Sequence, residues 1–596
     1  MTTYQSRTDV PQHEKWDLTH IYQTQEAWQE DYQKVVSGID TLKSYNDNIN
    51  CAEQFYGFLN SQEELMQMYT KLYVFAMLQN DEDTRKSSSQ TLLDQVQQLG
   101  VKISSATSFF MPYLLELEEE TLTRYIEEVP ALQYFEKDLF ESYRYKTHVL
   151  TKEKEEVLSQ LGDALASPKN TFNMMNNADI VFGDVTNEKG EKVPLTRGMF
   201  AKIMESGDRT KRKEAYKAYY KPYVQMKNTI ASTLSSAVKN NVTLSKMRQY
   251  PSALEKALFG DNVPVSVYEN LIEATKNNIA PLHRYMKVRK EKLGVDELRA
   301  YDLSAPLVKD VREDIPYDEA YDTMLESLQP LGDEYIAQLK AFKDAGVIDV
   351  RETPGKRSGA YNIGLYGVHP YVLLNHRDNL DSLFTLAHEM GHCMHSHYSS
   401  LYQPRISARY SIFVAEVAST VNEVLLINHL LKTTTDKKMK KHLLNHFIDQ
   451  FKGTFFTQVM FAEFEKIVHE KAEKGESLNA EVFNGIYEKL FRTYNGDDLV
   501  FEEEVKYGWS RIPHFYRPFY VYKYATGYVS AIHIAERLLQ GDNDTLEAYL
   551  KFLQSGCSEY PLDLLKATGV DLLSPEPVES AMNAFARLVD EFAESE

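Results

Sequence analysis

The sequence predicts a mainly α, multi-helical protein, and three observations predict it. Chain breakers are scarce, with 26 Gly and 20 Pro among 596 residues, about 8% where an average protein carries roughly 12%. Apolar residues make up 43% and charged residues 26%, the balance of a folded, soluble chain. Through most of the first half, apolar positions recur at three- and four-residue spacing, the period of an amphipathic helix. At roughly 100–200 residues per domain, the length suggests two to four units, or one large domain with an accessory.

Taken in order, Trp16-Asp17-Leu18-Thr19 reads as a helix-start signal, and Ala52 to Gln98 has the helical period. Glu116 to Glu120 contains four acids and reads as a solvated helix face. The texture changes at Ala178 to Leu195. There Ile180-Val181-Phe182 and Val193-Pro194-Leu195 flank Asn187-Glu188-Lys189-Gly190, the pattern of a small hairpin with a glycine turn. Helical periodicity resumes at Arg197 and persists, with breaks, to about Ala274. The change of texture predicts a domain boundary at the hairpin; the regions expected are 1–110, 111–195 ending in the hairpin, and 196–596, the division at 110 resting on the resemblance described below. A second non-helical patch, Gly355 to Asn375, is punctuated by Gly359, Gly364 and Gly367 and holds a short strand, Tyr371-Val372-Leu373-Leu374-Asn375, after Pro370.

Composition excludes several function classes. With 87 acids against 66 Lys+Arg, the formal charge is −21, which argues against nucleic acid as the main partner, since phosphate binding needs clustered cations. Cys51, Cys393 and Cys557 are too few and too scattered for a disulfide framework or a cysteine metal site. Met1-Thr2-Thr3-Tyr4-Gln5 shows no basic region followed by an apolar run, so no secretory signal is expected. Apolar windows such as Val424-Leu425-Leu426-Ile427 end well short of the ~18 residues that span a bilayer. The expected setting is a reducing cytoplasm, with no membrane partner. No G-x-S-x-G nucleophile elbow occurs, and Gly355-Lys356-Arg357 lacks the spaced glycine and Ser/Thr of a phosphate loop.

Six of the 16 histidines fall between His369 and His397. Within that window stands His388-Glu389-Met390-Gly391-His392, a complete H-E-x-x-H. On a helix, positions i and i+4 lie on one face a turn apart, so both imidazoles reach one tetrahedral zinc. Glu389, next to the first ligand, is placed to hold a water rather than the metal. A catalytic zinc takes a third protein ligand, and two candidates compete. His395 shares the helix face but must stretch a further turn. The metzincin pattern fails, because its glycine and third histidine positions are His395 and Tyr398. The other candidate is Glu416, the first acid after a run from Cys393 to Ala415 with no Asp or Glu. A second helix packed on the first brings Glu416 to the metal and completes a two-His, one-Glu set. Glu423, seven residues on, shares its face and is placed to orient a ligand imidazole.

His388 to His392 with Glu416 in a Glu-Val-Ala-Ser context resembles the thimet-oligopeptidase-like zinc peptidases, and within them the oligoendopeptidase F group. The resemblance covers nearly the whole chain, from Trp16-Asp17-Leu18-Thr19 through Asn177-Ala178-Asp179 and Phe182 to Ile512-Pro513-His514-Phe515-Tyr516 and Tyr522-Lys523-Tyr524-Ala525-Thr526-Gly527. It implies a zincin-type fold with a small β-sheet near the active site and a deep substrate channel between two lobes. Region 111–195 then corresponds to the group's N-terminal domain and 196–596 to its catalytic domain. It also implies one Zn2+ per chain, held by His388, His392 and Glu416, and short unstructured peptides as substrates. A histidine and tyrosines of the C-terminal segment bind the substrate carbonyl in this family. His514 matches that histidine, and Tyr522 and Tyr524 are the chosen tyrosines among five in the stretch. The strand before the motif either presents an edge to an extended peptide or lies inside a sheet, and Gly359 and Tyr371 are its candidate peptide contacts.

The expected activity is hydrolysis of internal peptide bonds by metal-activated water, with Glu389 as general base. A zinc carboxypeptidase or peptidyl-dipeptidase using the same site is the nearest alternative, and a non-catalytic peptide-binding helical protein a more distant one. A monomer or weak homo-oligomer is expected.

Overall fold

A computed structural model describes residues 4–186, 190–308 and 314–595. Helices dominate, as the scarcity of breakers predicts. Packing divides the chain into two compact units, each assembled from three separated segments. The first comprises Met1–Val149, Glu313–Leu426 and Ile534–Thr568; the second comprises Leu150–Arg312, Ile427–His533 and Gly569–Glu596. Each unit thus joins segments that are distant in the chain. No helix among the described residues is long and apolar enough to cross a membrane.

In the first unit, Asp17 takes the Thr19 N–H at 2.9 Å and starts only a short turn, Leu18–His20; the long helix begins later, at Gln25, capped by Thr24. The stretch from Ala52 forms two helices, Ala52–Glu82 and Ser87–Thr107. They part at Asp83, whose carboxylate is taken by the Arg85 N–H and guanidinium. Trp28, Val35, Leu42, Phe55, Phe58, Leu72 and Leu99 fill the core between these three helices. The acids from Glu116 to Glu120 straddle a junction rather than lining one helix. Helix Phe110–Glu116 ends there, and Glu119 and Glu120 open helix Glu119–Glu128, where negative charge suits the helix dipole.

The Gly355–Asn375 patch forms a three-stranded sheet. Tyr371–His376 is its centre, parallel to Ile348–Arg351 on one side and antiparallel to Tyr361–Ile363 on the other, with Tyr361 opposite Leu373. The strand at Tyr371 is therefore internal, and the edge nearest the motif in sequence belongs to Tyr361–Ile363. Lys356 is fully buried beneath the sheet, where its Nζ meets Asp349 Oδ1 at 2.7 Å and three backbone carbonyls. Arg351 is held by Glu14 and Asp378 at 2.6–2.9 Å. A buried charge without such partners costs several kcal/mol, so this web fixes the N-terminal segment to the sheet.

The second unit contains helices Arg209–Gln225, Lys227–Met247, Thr457–Glu473, Ala480–Asn495 and Glu576–Glu594. The hairpin is present but shifted: Asp184–Thr186 pairs antiparallel with Lys192–Pro194, and residues 187–189 of the expected turn lie outside the described residues. Ile180–Phe182 does not join the strand, because the Phe182 ring turns inward to stack on Tyr219 at 4.6 Å. Asp302, fully buried, receives Arg209 and Arg212 at 2.8 Å each.

Candidate metal centre and active site

All residues of the motif lie in the first unit, on two consecutive helices. Helix Leu380–Tyr402 carries His388, Glu389 and His392. Asn379 caps it, accepting the Ser382 N–H at 3.0 Å, and Leu383, Leu386, Ala387 and Met390 bury its inner side against the sheet and neighbouring helices. Helix Ile412–Thr433 carries Glu416 and Glu423. The two helices approach until Gly391 lies against Ala418 and Ser419. A Cβ on Gly391 would stand 2.7 Å from the Ala418 carbonyl oxygen, well inside contact distance. Asn422, fully buried, donates to the Ala387 carbonyl at 3.0 Å and locks the pair in register beside His388.

This packing brings three ligand atoms together. Glu416 Oε2 lies 3.4 Å from His388 Nε2 and 3.6 Å from His392 Nε2, and the ligand atoms of all three residues lie within 4.8 Å of one another. Ligands about 2.1 Å from a tetrahedral zinc stand roughly 3.4 Å apart, which the two separations from Glu416 match. The His388 and His392 rings are 4.8 Å apart and nearly perpendicular. Behind them, His388 Nδ1 meets Glu423 Oε1 at 2.5 Å, which fixes the tautomer that leaves Nε2 available to a metal. Ser419 donates to Glu416 Oε2 at 3.2 Å.

The electrostatics follow from burial and from these neighbours. Burial pushes the His388 pKa down, but the charge and hydrogen bond of Glu423 outweigh it and raise it to about 9. Burial raises Glu416, yet the hydrogen bond and charge of His392, with His388, bring it down to about 2. Glu389 is raised, by burial first, with the two imidazoles opposing. It is 7% exposed, and among the described residues no protein group hydrogen-bonds its buried Oε2. A desolvated carboxylate oxygen without a protein partner, beside a two-His, one-Glu set, suits a residue that handles a water.

The rival ligand is placed elsewhere. The His395 ring is buried, lies flat on Tyr410 at 3.7 Å and sits 5.4 Å from Phe552, and burial brings its pKa down to about 3. Of the strand positions, Tyr371 is buried at the centre of the sheet with its hydroxyl on the Asp17 carbonyl at 2.9 Å. Of the two placements open for its strand, the internal one holds. Gly359 has φ +86°, a conformation glycine adopts freely, and its carbonyl accepts Asn375 Nδ2 at 2.7 Å.

His514, Tyr522 and Tyr524 belong to the second unit. His514 is exposed on the turn Pro513–Tyr516. Tyr524 is half-buried, 6.2 Å from the His514 ring, and donates to the Tyr520 hydroxyl at 3.3 Å. Tyr522 is fully buried with its ring 5.0 Å from Tyr268. Tyr520 lies beside the histidine, its ring plane within 2° of that of His514 at 6.3 Å. Gly391, Ser419 and Asn422 escaped sequence reasoning, since their roles depend on how closely two helices pack.

Fold and site together define a class: helical, metal-dependent hydrolases built on a His-Glu-x-x-His helix and completed by a glutamate of the following helix. The sequence pattern of Peptidase family M3 matches residues 202–584, and that of Oligopeptidase F matches residues 114–182. The chain belongs to peptidase family M3, and it is a metalloendopeptidase. It is 41% identical over 589 residues to oligopeptidase PepF of Bacillus subtilis, covering 99% of this chain and 88% of the relative. It is 38% identical over 588 residues to the group B oligopeptidase PepB of Streptococcus agalactiae, covering 98% of each. Among solved structures, a chain from Chlamydophila abortus superposes with a TM-score of 0.92 at 33% identity, covering 99% of this chain and 100% of its own. Oligoendopeptidase-F from Enterococcus faecium superposes with a TM-score of 0.74 at 34% identity, covering 96% and 99%.

Proposed function

We propose that this protein is a zinc-dependent oligoendopeptidase that cleaves internal bonds of short, unstructured peptides with Glu389 as the general base. The observation that carries the reading is the buried, protein-unpartnered Oε2 of Glu389 beside His388, His392 and Glu416. Those three residues would hold one zinc. The ion supplies a Lewis acid that draws electron density from a scissile carbonyl and lowers the pKa of a water toward ~7.

The chain's own residues supply the rest. Glu423 holds the His388 ring through Nδ1. Glu389 accepts a proton from the attacking water at Oε2 and returns it to the leaving amine. Its raised proton affinity suits both steps, because a base poised nearer to neutral pH accepts and releases with less loss. His514 and Tyr524 are assigned as donors to the charge that develops on the substrate carbonyl oxygen, each worth on the order of 10²-fold or more in rate. This assignment rests on the likeness to the family's C-terminal segment and on the exposure of His514.

The test is incubation with a mid-length peptide mixture, with and without a chelator, and mass analysis of the products. Internal fragments that vanish on chelation and return with stoichiometric zinc are expected. Trimming of single residues or dipeptides from one end only would replace the endopeptidase reading with that of an exopeptidase.

A further inference from the structure

The two helices of the metal set run antiparallel, and their contacts climb in step. Asn422 meets Ala387, Glu423 meets His388, Ser419 lies against Gly391, and Glu416 faces His392. This ladder of contacts ends near the start of the second helix. Glu416 lies only in the second turn of helix Ile412–Thr433, and helices fray from their ends. Ser411, the residue before the helix, does not cap it with its side chain. Its hydroxyl is buried with no hydrogen-bond partner among the described residues.

The next contact along the pair is made by Tyr410. Its hydroxyl stands 2.9 Å from Ser396 Oγ, one turn beyond His392, and 3.5 Å from the His392 carbonyl oxygen. Ser396 donates to Asn362 Oδ1 at 2.9 Å, an oxygen that only accepts, so the Ser396 oxygen is left to receive the Tyr410 O–H. Asn362 belongs to the edge strand Tyr361–Ile363, and its Nδ2 donates to the Tyr371 carbonyl at 3.3 Å, so the chain of bonds ends in the sheet. The Tyr410 ring lies flat on His395, 3.7 Å away and tilted by 6°. The chain beyond the strand closes on the same point: a Cβ on Gly364 would stand 3.0 Å from Ser396 Cβ. All of these residues belong to the first unit.

We propose that Tyr410 is a positioning residue for the metal: its hydroxyl on Ser396 and its ring on His395 hold the start of the Glu416 helix against the turn of His392, and so keep the third ligand on the ion. The inference rests on the zinc reading and goes beyond it, because neither Tyr410 nor Ser396 is one of the three ligands. When the helix start swings away with Glu416, two histidines alone hold the ion, and release passes through that open arrangement. Loss of one net hydrogen bond raises the open fraction about three- to tenfold.

The experiment loads the full-length protein with zinc and follows release of the metal to excess chelator, at concentrations where the rate no longer depends on the chelator. Tyr410→Phe keeps the ring and removes the hydroxyl, and it should release zinc about three- to tenfold faster than wild type. Ser396→Ala should do the same. The double variant should be no faster than the faster single one, because both remove the same bond. Tyr22→Phe is the control: it removes a tyrosine hydroxyl that donates to Asp31 at 3.0 Å in the same unit, and it should leave the release rate unchanged. Release within twofold of wild type in both Tyr410→Phe and Ser396→Ala, or an equal acceleration in Tyr22→Phe, would overturn the proposal. Should wild type bind no zinc, the zinc reading fails on its own, and hydrogen exchange in the metal-free protein decides the role of Tyr410. There the amides of Glu416 to Ser419 should exchange about three- to tenfold faster in Tyr410→Phe, and unchanged exchange would reject the tie.

Discussion

The helix pair at His388–Glu416 and the segment His514–Tyr524 each include a run without acids, Cys393–Ala415 in the first and the whole of the second, yet they are built on opposite kinds of backbone. The first stands on two regular helices in van der Waals contact, with Gly391 against Ser419 and Asn422 tying one helix to the other. His388 is braced by Glu423 and Glu416 by Ser419, in a register set by helical geometry. The second is a succession of short turns with a positive φ at Phe519, an exposed His514 and an exposed Arg517. A metal ion demands ligand atoms within a few tenths of an ångström, which packed helices supply. Substrate handling tolerates, and uses, groups carried on loops. Mutations should therefore separate metal retention from substrate handling.

The largest effect should come from Glu416→Ala. Losing one of three ligands removes the ion and the activity with it, and metal analysis after gel filtration checks both. Stoichiometric zinc in that variant would return His395 to consideration as the third ligand. On the other side of the comparison, His514→Gln should keep zinc and lower kcat about a hundredfold; loss of metal there would erase the distinction between the two regions. Glu423→Ala should weaken zinc affinity about 10–100-fold by freeing the His388 ring, measured by competition with a chelator.

Smaller effects test the packing beneath the site. Gly391→Ala should destabilise the protein by about 1–3 kcal/mol through overpacking against Ala418 and Ser419, read as a shift in denaturation midpoint. Acid should act on stability through histidines buried in the neutral form. Burial depresses His376 and His469 to about 4. A histidine whose folded pKa lies below its unfolded value of ~6.5 binds protons preferentially in the unfolded chain, so stability falls as pH drops from about 6.5 toward 4, by up to about 3 kcal/mol apiece. Urea midpoints at pH 7, 6 and 5 should decline in that order, and a flat profile would contradict the burial of these rings.

What was legible in the sequence divides along the same line. His388, Glu389 and His392 were legible from spacing on one helix, and Glu423 from its offset to Glu416, because helical periodicity is a local property that converts sequence offset into a shared face; Glu416 itself stood out only as the first acid after an acid-free run. Among the five tyrosines, Tyr522 and Tyr524 could not be chosen on any such ground, because the segment before helix Tyr522–Leu539 is irregular and no period assigns its faces. The internal place of Tyr371 was open for a related reason: strand order depends on which strands pair, and Ile348–Arg351 lies more than twenty residues away. The three-segment composition of each unit has the same origin. Gly391 and Asn422 stood inside the recognised motif region, but only the distance between two helices gives them their roles.

Glu389→Gln tests the central claim most directly, because glutamine keeps the shape of the side chain and removes its ability to accept and return a proton. Zinc content and peptide turnover should be measured on one preparation. Stoichiometric zinc with turnover reduced about 10²–10⁴-fold or more is predicted. Turnover within tenfold of wild type, with the metal in place, would contradict the assignment of Glu389 as the base.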